Sequence, residues 1–366
     1  MEMLWLNLGA VFGFAVTARY FSVPVQQEIS FPPTARPNAY LALLALTIMI
    51  SVSGLRRGIG DTYVYRSNYY ETTWTLEHAL EAEEPGFAVL QLVLQNISDD
   101  SQILIFTSSL ITLTLITIVL YHYSRLFELS LYVFIASGMF LVSMNGVRQF
   151  LAASIIFAGA AFLFKGKLIP YMLTVLLAST FHQSALIMLP VYFIVRREAW
   201  TKSTLGLLFA GTIIAFGYEQ FSHLIFGAIS ETKYGGYSEF DEGGANIIRV
   251  AVYGAPILLA YIGRHRLKEI FPQSDIVVNL SLMGLIFMIV STQLWIFARM
   301  AIYFDLFTLI LISWVVKVFA LKDQRVVYFA IVALYLFYFF YEYSVTLNIN
   351  YESDYLPFFQ SNENEL

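Results

Sequence analysis

The sequence predicts an all-α integral membrane protein, a polytopic helical bundle of about 12 transmembrane helices (roughly 11 to 13) with amphipathic helices in a long external loop. Composition and patterning together predict this class. Hydrophobic residues make up 58% of the 366 positions and charged residues only 13%, whereas soluble proteins have about 45–50% and about 25%. The mean hydropathy is +0.68, and the apolar residues form long runs. We therefore expect residues 1–366 to form a single polytopic transmembrane domain.

The apolar runs follow one another along the whole chain and set the expected number of helices. A spanning helix needs about 20 predominantly apolar residues, and some of the runs are shorter than that. We place the runs at 3–22, 38–55, 102–121, 127–144, 148–164, 168–181, 183–195, 203–218, 246–263, 276–294, 298–316 and 325–344.

Lysine and arginine predict the orientation of the bundle, because short cytoplasmic loops are enriched in both. If the loop after the first run is cytoplasmic, alternation puts most of the basic residues on that side. The two longest loops, 56–101 and 219–245, then lie outside and carry half of the 26 Asp and Glu residues. The first contains two segments, 74–80 and 86–90, that predict short amphipathic helices on the membrane surface. Long loops are usually functional, so we expect the functional site at the external face.

Residues 168–195 are too few for two full spans. Only 28 positions separate the basic residues Lys167 and Arg196, while two spans would need about 40. We therefore predict a short or re-entrant hairpin with His182 at its tip, lining a cavity or buried in protein. The alternative is one long tilted helix, which would invert every later loop and spoil the charge pattern.

Several functional classes are excluded by what the sequence lacks. It has no cysteine, which excludes disulfides, thiolate catalysis and Cys-ligated metals. It also has no P-loop, dinucleotide fingerprint, Gly-x-Ser-x-Gly elbow or His-Glu-x-x-His motif. The acidic pI of about 5.6 argues against nucleic acid as a partner. We expect no metal and no cofactor, so group transfer would need a donor that is already activated and delivered to the external face.

Arginines on the external side are the first candidates for binding, because they depart from the positive-inside pattern. Arg56 and Arg57 follow the second apolar run, Arg148 begins the fifth, and Arg299 begins the eleventh. Guanidinium groups bind phosphate through paired hydrogen bonds, and lipid carriers of the outer leaflet present pyrophosphate. The alternative is that each arginine snorkels to the interface or pairs with a nearby Asp or Glu.

Two residues are candidates for a general base. Asp61 follows a glycine-rich turn and could accept a proton or a sugar hydroxyl, or else form an Asx turn or helix N-cap. His182 could accept the proton instead, because an unperturbed histidine has a pKa near neutrality, with helix capping or polar packing as its alternative role. Glu84 is a weaker candidate. Tyrosines that could stack on sugars are Tyr63, Tyr234, Tyr237 and Tyr303.

Five short motifs, taken in order, resemble the EpsG family of polysaccharide-forming membrane proteins, relatives of Wzy-type polymerases. They are Arg56 followed by Asp61-Thr62-x-x-Tyr65, then Glu84-Pro85-Gly86-Phe87, Asn145-x-x-Arg148-Gln149, His182-x-Ser184-Ala185-Leu186 and Arg299-x-x-x-Tyr303-Phe304. Each motif alone is weakly specific, but their order and loop placement cover most of the chain.

The resemblance implies a glycosyltransferase that polymerises oligosaccharide repeat units carried on undecaprenyl pyrophosphate, at the outer face of the bacterial cytoplasmic membrane. Donor and acceptor are both lipid-linked, and a chain-length regulator and a flippase are expected partners. Arg148 and Arg299, with Arg56 and Arg57, would hold the pyrophosphate, and His182 or Asp61 would take the hydroxyl proton. Further substrate-binding residues implied by the motifs, together with Tyr237, are Glu84, Asn145, Gln149, Tyr65 and Tyr303.

Three other functions remain open. A flippase of lipid-linked sugars would also use a basic, water-filled cavity, but internal repeats are not visible in the sequence. A membrane O-acyltransferase would need His and Arg near the cytoplasmic face, where acyl-CoA is found. A non-catalytic scaffold of a synthesis complex is the third alternative.

Overall fold

The computed structural model describes residues 2–24, 35–216, 244–347 and 349–356, and nearly all of its regular structure is helical. A two-residue antiparallel pair, β1 (Val23–Pro24) with β2 (Ala35–Arg36), is the one exception among these residues. The first half of the chain contains α1 (Glu2–Tyr20), α2 (Ala39–Gly54), α3 (Thr62–Glu71), α4 (Leu76–Glu81), α5 (Pro85–Gln95), α6 (Gln102–Tyr123), α7 (Phe127–Ala136), α8 (Met139–Asn145), α9 (Val147–Ala158) and α10 (Ala160–Phe164).

The second half continues the helical pattern with short 3₁₀ and π segments between or after the α-helices. It contains α11 (Leu168–Ser179), a 3₁₀ helix (Gln183–Ile187), α12 (Met188–Val195), α13 (Lys202–Phe216), α14 (Ile247–Ile262), α15 (Arg264–Ile270), α16 (Ser274–Val290), α17 (Ile296–Val315), a 3₁₀ turn (Val316–Val318), α18 (Leu321–Phe340) and a π-helix (Tyr341–Thr346).

Four segments of the described chain are long and apolar enough to cross a membrane, and six are if each of two bent helix pairs counts as one span. The four are Gln102–Tyr123, Val147–Phe164, Ile296–Val318 and Leu321–Thr346. The all-α membrane class is therefore supported, while the predicted count of about 12 spans is not confirmed. Several other apolar helices, such as α2 and α11, are shorter than 18 residues.

The bent pairs show why apolar runs overestimate the number of straight spans. The run predicted at 127–144 is divided into α7 and α8, which meet at an angle of 57°. Gly138 lies at this break with φ of +88°, a backbone conformation that side chains other than glycine rarely adopt. The second pair, α14 and α15, bends by 83°.

Helix α17 lies at the centre of the bundle. The spanning window around it is 89% buried, whereas the window around α18 is only 33% buried. Exposed side chains on α18 include Phe329, Leu334 and Phe337, as expected of a helix whose apolar side faces lipid. The core of the protein therefore forms around α17, with α7, α9, α14 and α16 packed against it.

The loop 56–101 is folded rather than extended. The two predicted amphipathic segments are confirmed as helices α4 and α5, and a third helix, α3, precedes them. Pro85 occupies the first turn of α5, a position where its missing N–H costs no helical hydrogen bond. The other predicted external loop, 219–245, lies almost entirely outside the described residues.

The predicted hairpin at 168–195 is confirmed. Helix α11 ends at Ser179 and the chain reverses, so that the rings of Tyr171 and Tyr192 lie 5.5 Å apart and the Tyr171 hydroxyl donates to Met188 O at 3.2 Å. Residues 21 positions apart in one straight helix would be about 31 Å apart. A single tilted helix is therefore excluded. With 12 residues, α11 is about 18 Å long and too short to cross a hydrocarbon core of about 30 Å.

A distance measurement tests this hairpin. Because the chain has no cysteine, Ile169→Cys/Ile194→Cys can be spin-labelled at two exposed positions without removing native thiols. We expect the two labels to be close together, because α11 and α12 are antiparallel neighbours, whereas one straight helix would separate these residues by about 37 Å. A control pair on one helix, Val326→Cys/Phe337→Cys, should give about 16 Å. A long distance for the first pair would contradict the hairpin.

Candidate functional site

Polar side chains from five distant parts of the chain meet at one place, which we call the arginine–carboxylate cluster. They come from the turn before α3, the start of α5, the α8–α9 junction, the hairpin tip and the first turns of α17. The members of the cluster are Asp61, Glu84, Asn145, Arg148, Gln149, His182, Ser184, Arg299 and Tyr303.

The shortest contact in the cluster joins Arg148 to Glu84. Arg148 Nη1 donates to Glu84 Oε2 at 2.6 Å, and the Glu84 side chain is only 7% exposed. Glu84 Oε1 accepts the Gln183 backbone N–H at 3.2 Å. The guanidinium also lies 5.8 Å from the ring centres of Tyr65 and Phe87. One buried carboxylate thus links the start of α5, α9 and the hairpin tip.

His182 caps the 3₁₀ helix at the hairpin tip. Its Nδ1 accepts the Ser184 backbone N–H at 3.3 Å, and the same atom is 2.8 Å from Ser184 Oγ. Nδ1 also lies 4.0 Å from Glu84 Oε1. Because an accepting Nδ1 places the proton of a neutral imidazole on Nε2, His182 in this arrangement presents a donor rather than a base at Nε2. The capping role that the sequence left open is thus the one the geometry favours.

A hydrogen-bonded chain connects the hairpin tip to α17. Ser184 Oγ lies 2.8 Å from the Tyr303 hydroxyl and accepts a bond from Gln149 Nε2 at 3.4 Å. Gln149 Nε2 also donates to Arg299 O at 2.8 Å. The buried Gln149 Oε1 has no hydrogen-bond partner among the described residues. Gln149 follows Arg148 in the chain. The bond from Gln149 to Arg299 O therefore brings the segments of the two predicted phosphate-binding arginines to the same site.

Arg299 faces Asp61 at the other end of the cluster. The two side chains are 3.9 Å apart, and the guanidinium stacks on Trp295 at 5.1 Å. Asp61 precedes α3, but its carboxylate makes no capping hydrogen bond. Its backbone N–H donates to Asn145 Oδ1 at 2.9 Å. The carboxylate is therefore left to interact with Arg299 or with a ligand.

Gly60 makes the contact between Asp61 and Asn145 possible. Its φ is +55°, a region that glycine adopts without steric cost. A Cβ atom at this position would lie 2.2 Å from Asn145 Oδ1. The sequence Gly60-Asp61 is thus explained by a turn that approaches Asn145 closely.

The exposure of the charged groups decides which of them can meet a ligand. The side chains of Arg148, Arg299 and Asp61 are 43%, 35% and 43% exposed, while Glu84 is buried. Pairing with carboxylates, the alternative to phosphate binding, is therefore seen in part: Arg148 pairs with Glu84, and Arg299 lies near Asp61. Within the described residues the Arg299 guanidinium makes no hydrogen bond. Arg148 Nε is buried and unsatisfied, while other parts of the Arg148 side chain are exposed. Both arginines keep N–H donors for an anion.

Arg56 lies inside the protein. It is 0% exposed, and its guanidinium donates to Ser53 O, to Thr62 Oγ1 at 2.9 Å and to Met144 O at 2.7 Å. These partners belong to α2, α3 and α8. Burial lowers the pKa of Arg56 to about 9, so it remains charged at neutral pH. The geometry favours a structural role for Arg56 over the predicted contact with pyrophosphate.

Arg57 points away from the cluster although it follows Arg56 directly. Its Nη1 lies 3.6 Å from Asp354 Oδ1 at the protein surface. The structure therefore does not bring Arg57 together with Arg148 and Arg299. Tyr237, another predicted site residue, lies outside the described residues, as does Tyr234.

Two residues without a sequence-predicted role complete the site. Ser184 connects His182 to Tyr303, and Trp295 stacks under Arg299. Ser184 was present in the motif His182-x-Ser184, which could have identified it, whereas no local pattern marks Trp295. Within the described residues, no three His, Asp or Glu side chains lie close enough together to hold a metal ion.

The helical fold and the polar cluster define a membrane protein with an ionisable site in an apolar bundle. The EpsG family model matches residues 39–358, which is nearly the whole chain and includes every member of the cluster. The chain therefore belongs to the EpsG family, and this membership fits a polysaccharide polymerase type of function. No curated protein and no solved structure gives a significant match to the chain.

The contrast between neighbouring arginines gives a stability prediction. Arg56→Met should cost about 3–5 kcal/mol, because it leaves buried acceptors without a donor. Arg57→Met, the matched control, should cost at most about 1 kcal/mol, since it breaks a solvent-exposed ion pair. Thermal unfolding midpoints of the purified proteins in one detergent would compare the two. Equal midpoints would contradict the structural role of Arg56.

Proposed function

We propose that this protein is a Wzy-like polymerase that joins oligosaccharide repeat units linked to undecaprenyl pyrophosphate, at the outer face of the bacterial cytoplasmic membrane. The observation that carries the proposal is the arginine–carboxylate cluster. Ionisable side chains inside an apolar bundle are costly and commonly mark a functional site. Here two arginines and two carboxylates from separate segments converge in the same place.

The two arginines suit the leaving group of the donor. Arg148 keeps one nitrogen on Glu84 and Arg299 rests on Trp295, so each guanidinium is oriented before substrate binds. Arginine binds phosphate oxygens through paired hydrogen bonds. Hydrogen-bond donors that are oriented in advance toward developing negative charge usually make the largest single contribution to enzyme catalysis. In this proposal Arg148 and Arg299 hold the pyrophosphate, and Glu84 positions Arg148.

The geometry favours Asp61 over His182 as the general base. The Asp61 carboxylate is partly exposed and makes no capping bond, whereas His182 Nδ1 is occupied by Ser184. The hydroxyl oxygen of the acceptor attacks the anomeric carbon of the donor, and the bond from that carbon to pyrophosphate breaks. The hydroxyl proton passes to Asp61, and undecaprenyl pyrophosphate leaves with the bonding electrons.

The substrate-binding roles proposed for the remaining cluster residues follow from their positions. Gln149 follows Arg148 and donates to Arg299 O, Tyr303 bonds Ser184 at the hairpin tip, and Asn145 holds the Asp61 turn. Tyr65 lies against Arg148. These residues bind or orient the sugars and the carboxylate around the reacting bond. A chain-length regulator and a flippase, which would deliver the lipid-linked units, are the proposed partner proteins.

Incubation of the purified protein with a lipid-linked repeat unit tests the function. We expect a ladder of lipid-linked oligomers from the wild-type protein and loss of that ladder in Arg148→Ala, because the leaving pyrophosphate loses a guanidinium. Arg266→Ala is the matched control, since this arginine is exposed and its ion pair within the described part of the chain is with Glu269, three residues away. If the protein is a flippase, an acyltransferase or a scaffold, neither the wild-type protein nor the variants will form a ladder. Full-length ladders from Arg148→Ala, with normal folding, would remove Arg148 from the mechanism.

A second comparison separates the two candidate bases. Asp61→Asn should slow coupling by about 100- to 10,000-fold, the usual effect of removing a general base. His182→Gln should cause a smaller loss, because it disturbs the hairpin tip without removing the proton acceptor. Asp99→Asn, at an exposed position on the same loop, controls for the change of charge. Initial rates of dimer formation measure all three. The reverse order of the first two effects would assign the base to His182.

A further inference from the structure

Helix α3 has two faces with different surroundings. Thr62, Tyr65 and Tyr69 point inward: Thr62 contacts Arg56, Tyr65 contacts Arg148, and the Tyr69 hydroxyl donates to Ser98 O. Tyr63 and Tyr70, seven residues apart, lie on the opposite face and are 72% and 61% exposed. Residues spaced by seven share one face of a helix. The inward face of α3 thus borders the proposed active site, while the other face presents two aromatic rings to solvent.

An open pocket of about 510 Å³ lies beside the exposed face of α3. We call it the Arg57–Arg66 pocket, and its lining residues are Arg57, Tyr63, Arg66 and Asp354. Asp354 is 3.6 Å from Arg57 and 3.7 Å from Arg66. Two guanidinium groups therefore face the carboxylate of Asp354, and Arg66 also interacts electrostatically with the nearby Asp100.

The pocket is built from segments that are fixed to one another. Arg57 N–H donates to Glu352 O at 2.8 Å, and Ser353 Oγ donates to Leu55 O at 2.6 Å. Arg66 Nε donates to Ser101 Oγ at 3.3 Å, and this serine in turn donates to the Tyr70 hydroxyl at 3.1 Å. Hydrogen bonds thus hold the C-terminal segment, the end of α2, α3 and the start of α6 around the pocket before any ligand arrives.

Position and chemistry together indicate the occupant. Asp61, the proposed base, directly precedes α3, and Tyr63 is two residues further along. From there to Tyr70 the helix rises about 10 Å, a length sufficient for a short run of sugars. Exposed aromatic rings pack against apolar faces while their hydroxyls hydrogen-bond, and arginines bind carboxylate groups in a planar, paired geometry. This combination of exposed aromatic rings and hydrogen-bonding groups suits an oligosaccharide.

We propose that the exposed face of α3 and the Arg57–Arg66 pocket form a glycan-binding site for sugars beyond the reacting residue. This inference rests on the proposed polymerase function and adds a site that holds the chain being extended. Retention of the glycan near Asp61 would favour another coupling over release, because a bound chain is presented at high effective concentration. The site would therefore set the length of the polymer rather than the rate of one coupling.

The test uses Tyr63→Ala, with Tyr63→Phe to retain the ring and Tyr40→Ala as a control. Tyr40 is also highly exposed, but lies at the start of α2, away from the pocket. The probe is the oligosaccharide released from the host's lipid-linked repeat unit by mild acid. Binding to the purified full-length protein is measured by saturation-transfer NMR, and coupling by the ladder of products.

We expect Tyr63→Ala to bind the oligosaccharide about tenfold more weakly, as loss of an aromatic contact predicts. Its products should be shorter than those of the wild-type protein, because the growing chain is released earlier. Tyr63→Phe and Tyr40→Ala should behave as wild type. Unchanged binding and unchanged product length in Tyr63→Ala would overturn the glycan site.

The same measurements distinguish failure of this inference from failure of the proposed function. One outcome is that the wild-type protein forms no ladder while Tyr63→Ala binds the oligosaccharide more weakly than wild type. In that case the polymerase proposal fails and the glycan site stands. If the ladder forms and Tyr63→Ala changes neither binding nor length, the polymerase stands and the glycan site fails.

Discussion

The ion pair between Arg148 and the buried carboxylate of Glu84 is the interaction on which the site depends. A carboxylate in apolar surroundings is stable only when its charge is paired and its oxygens are hydrogen-bonded. Glu84 meets this requirement with Arg148 on one oxygen and the Gln183 N–H on the other. The loop 56–101, helix α9 and the hairpin tip are consequently held at one point. Loss of Arg148 would leave the buried Glu84 carboxylate without its charged partner, whereas the partly exposed Arg148 could still meet water if Glu84 were lost.

The hairpin formed by α11 and α12 supplies the third side of the site for a geometric reason. Each arm is too short to cross the hydrocarbon core of a bilayer, so the chain reverses within the protein and His182 remains near Glu84. Non-helical backbone at such a position needs polar partners. The hairpin tip has such partners: Ser184 hydrogen-bonds both His182 and Tyr303. The backbone N–H of Gln183 donates to Glu84. A structural requirement and a candidate active site therefore use the same groups.

Helix α3 separates two kinds of surface. Its inward face is held by buried Arg56 and by the contact of Tyr65 with Arg148, whereas its other face carries exposed Tyr63 and Tyr70. A rigid helix with its position fixed on one side can present a ligand surface on the other. In the proposed reaction, chemistry would occur on the inward side and the glycan would extend along the exposed side. The buried guanidinium of Arg56 would support both indirectly.

Local sequence determined the membrane class, the helices α4 and α5, and the hairpin at 168–195, because composition, periodicity and segment length are properties of neighbouring residues. Ordered motifs also identified most of the cluster. Tertiary structure alone decided that Arg56 is buried and that Arg57 faces Asp354, since adjacent residues at a helix end point in different directions. It also decided which apolar helices are central and which face outward: α17 and α18 are similarly apolar but differ widely in burial. Hydropathy measures the side chain, whereas burial depends on distant segments that pack against it.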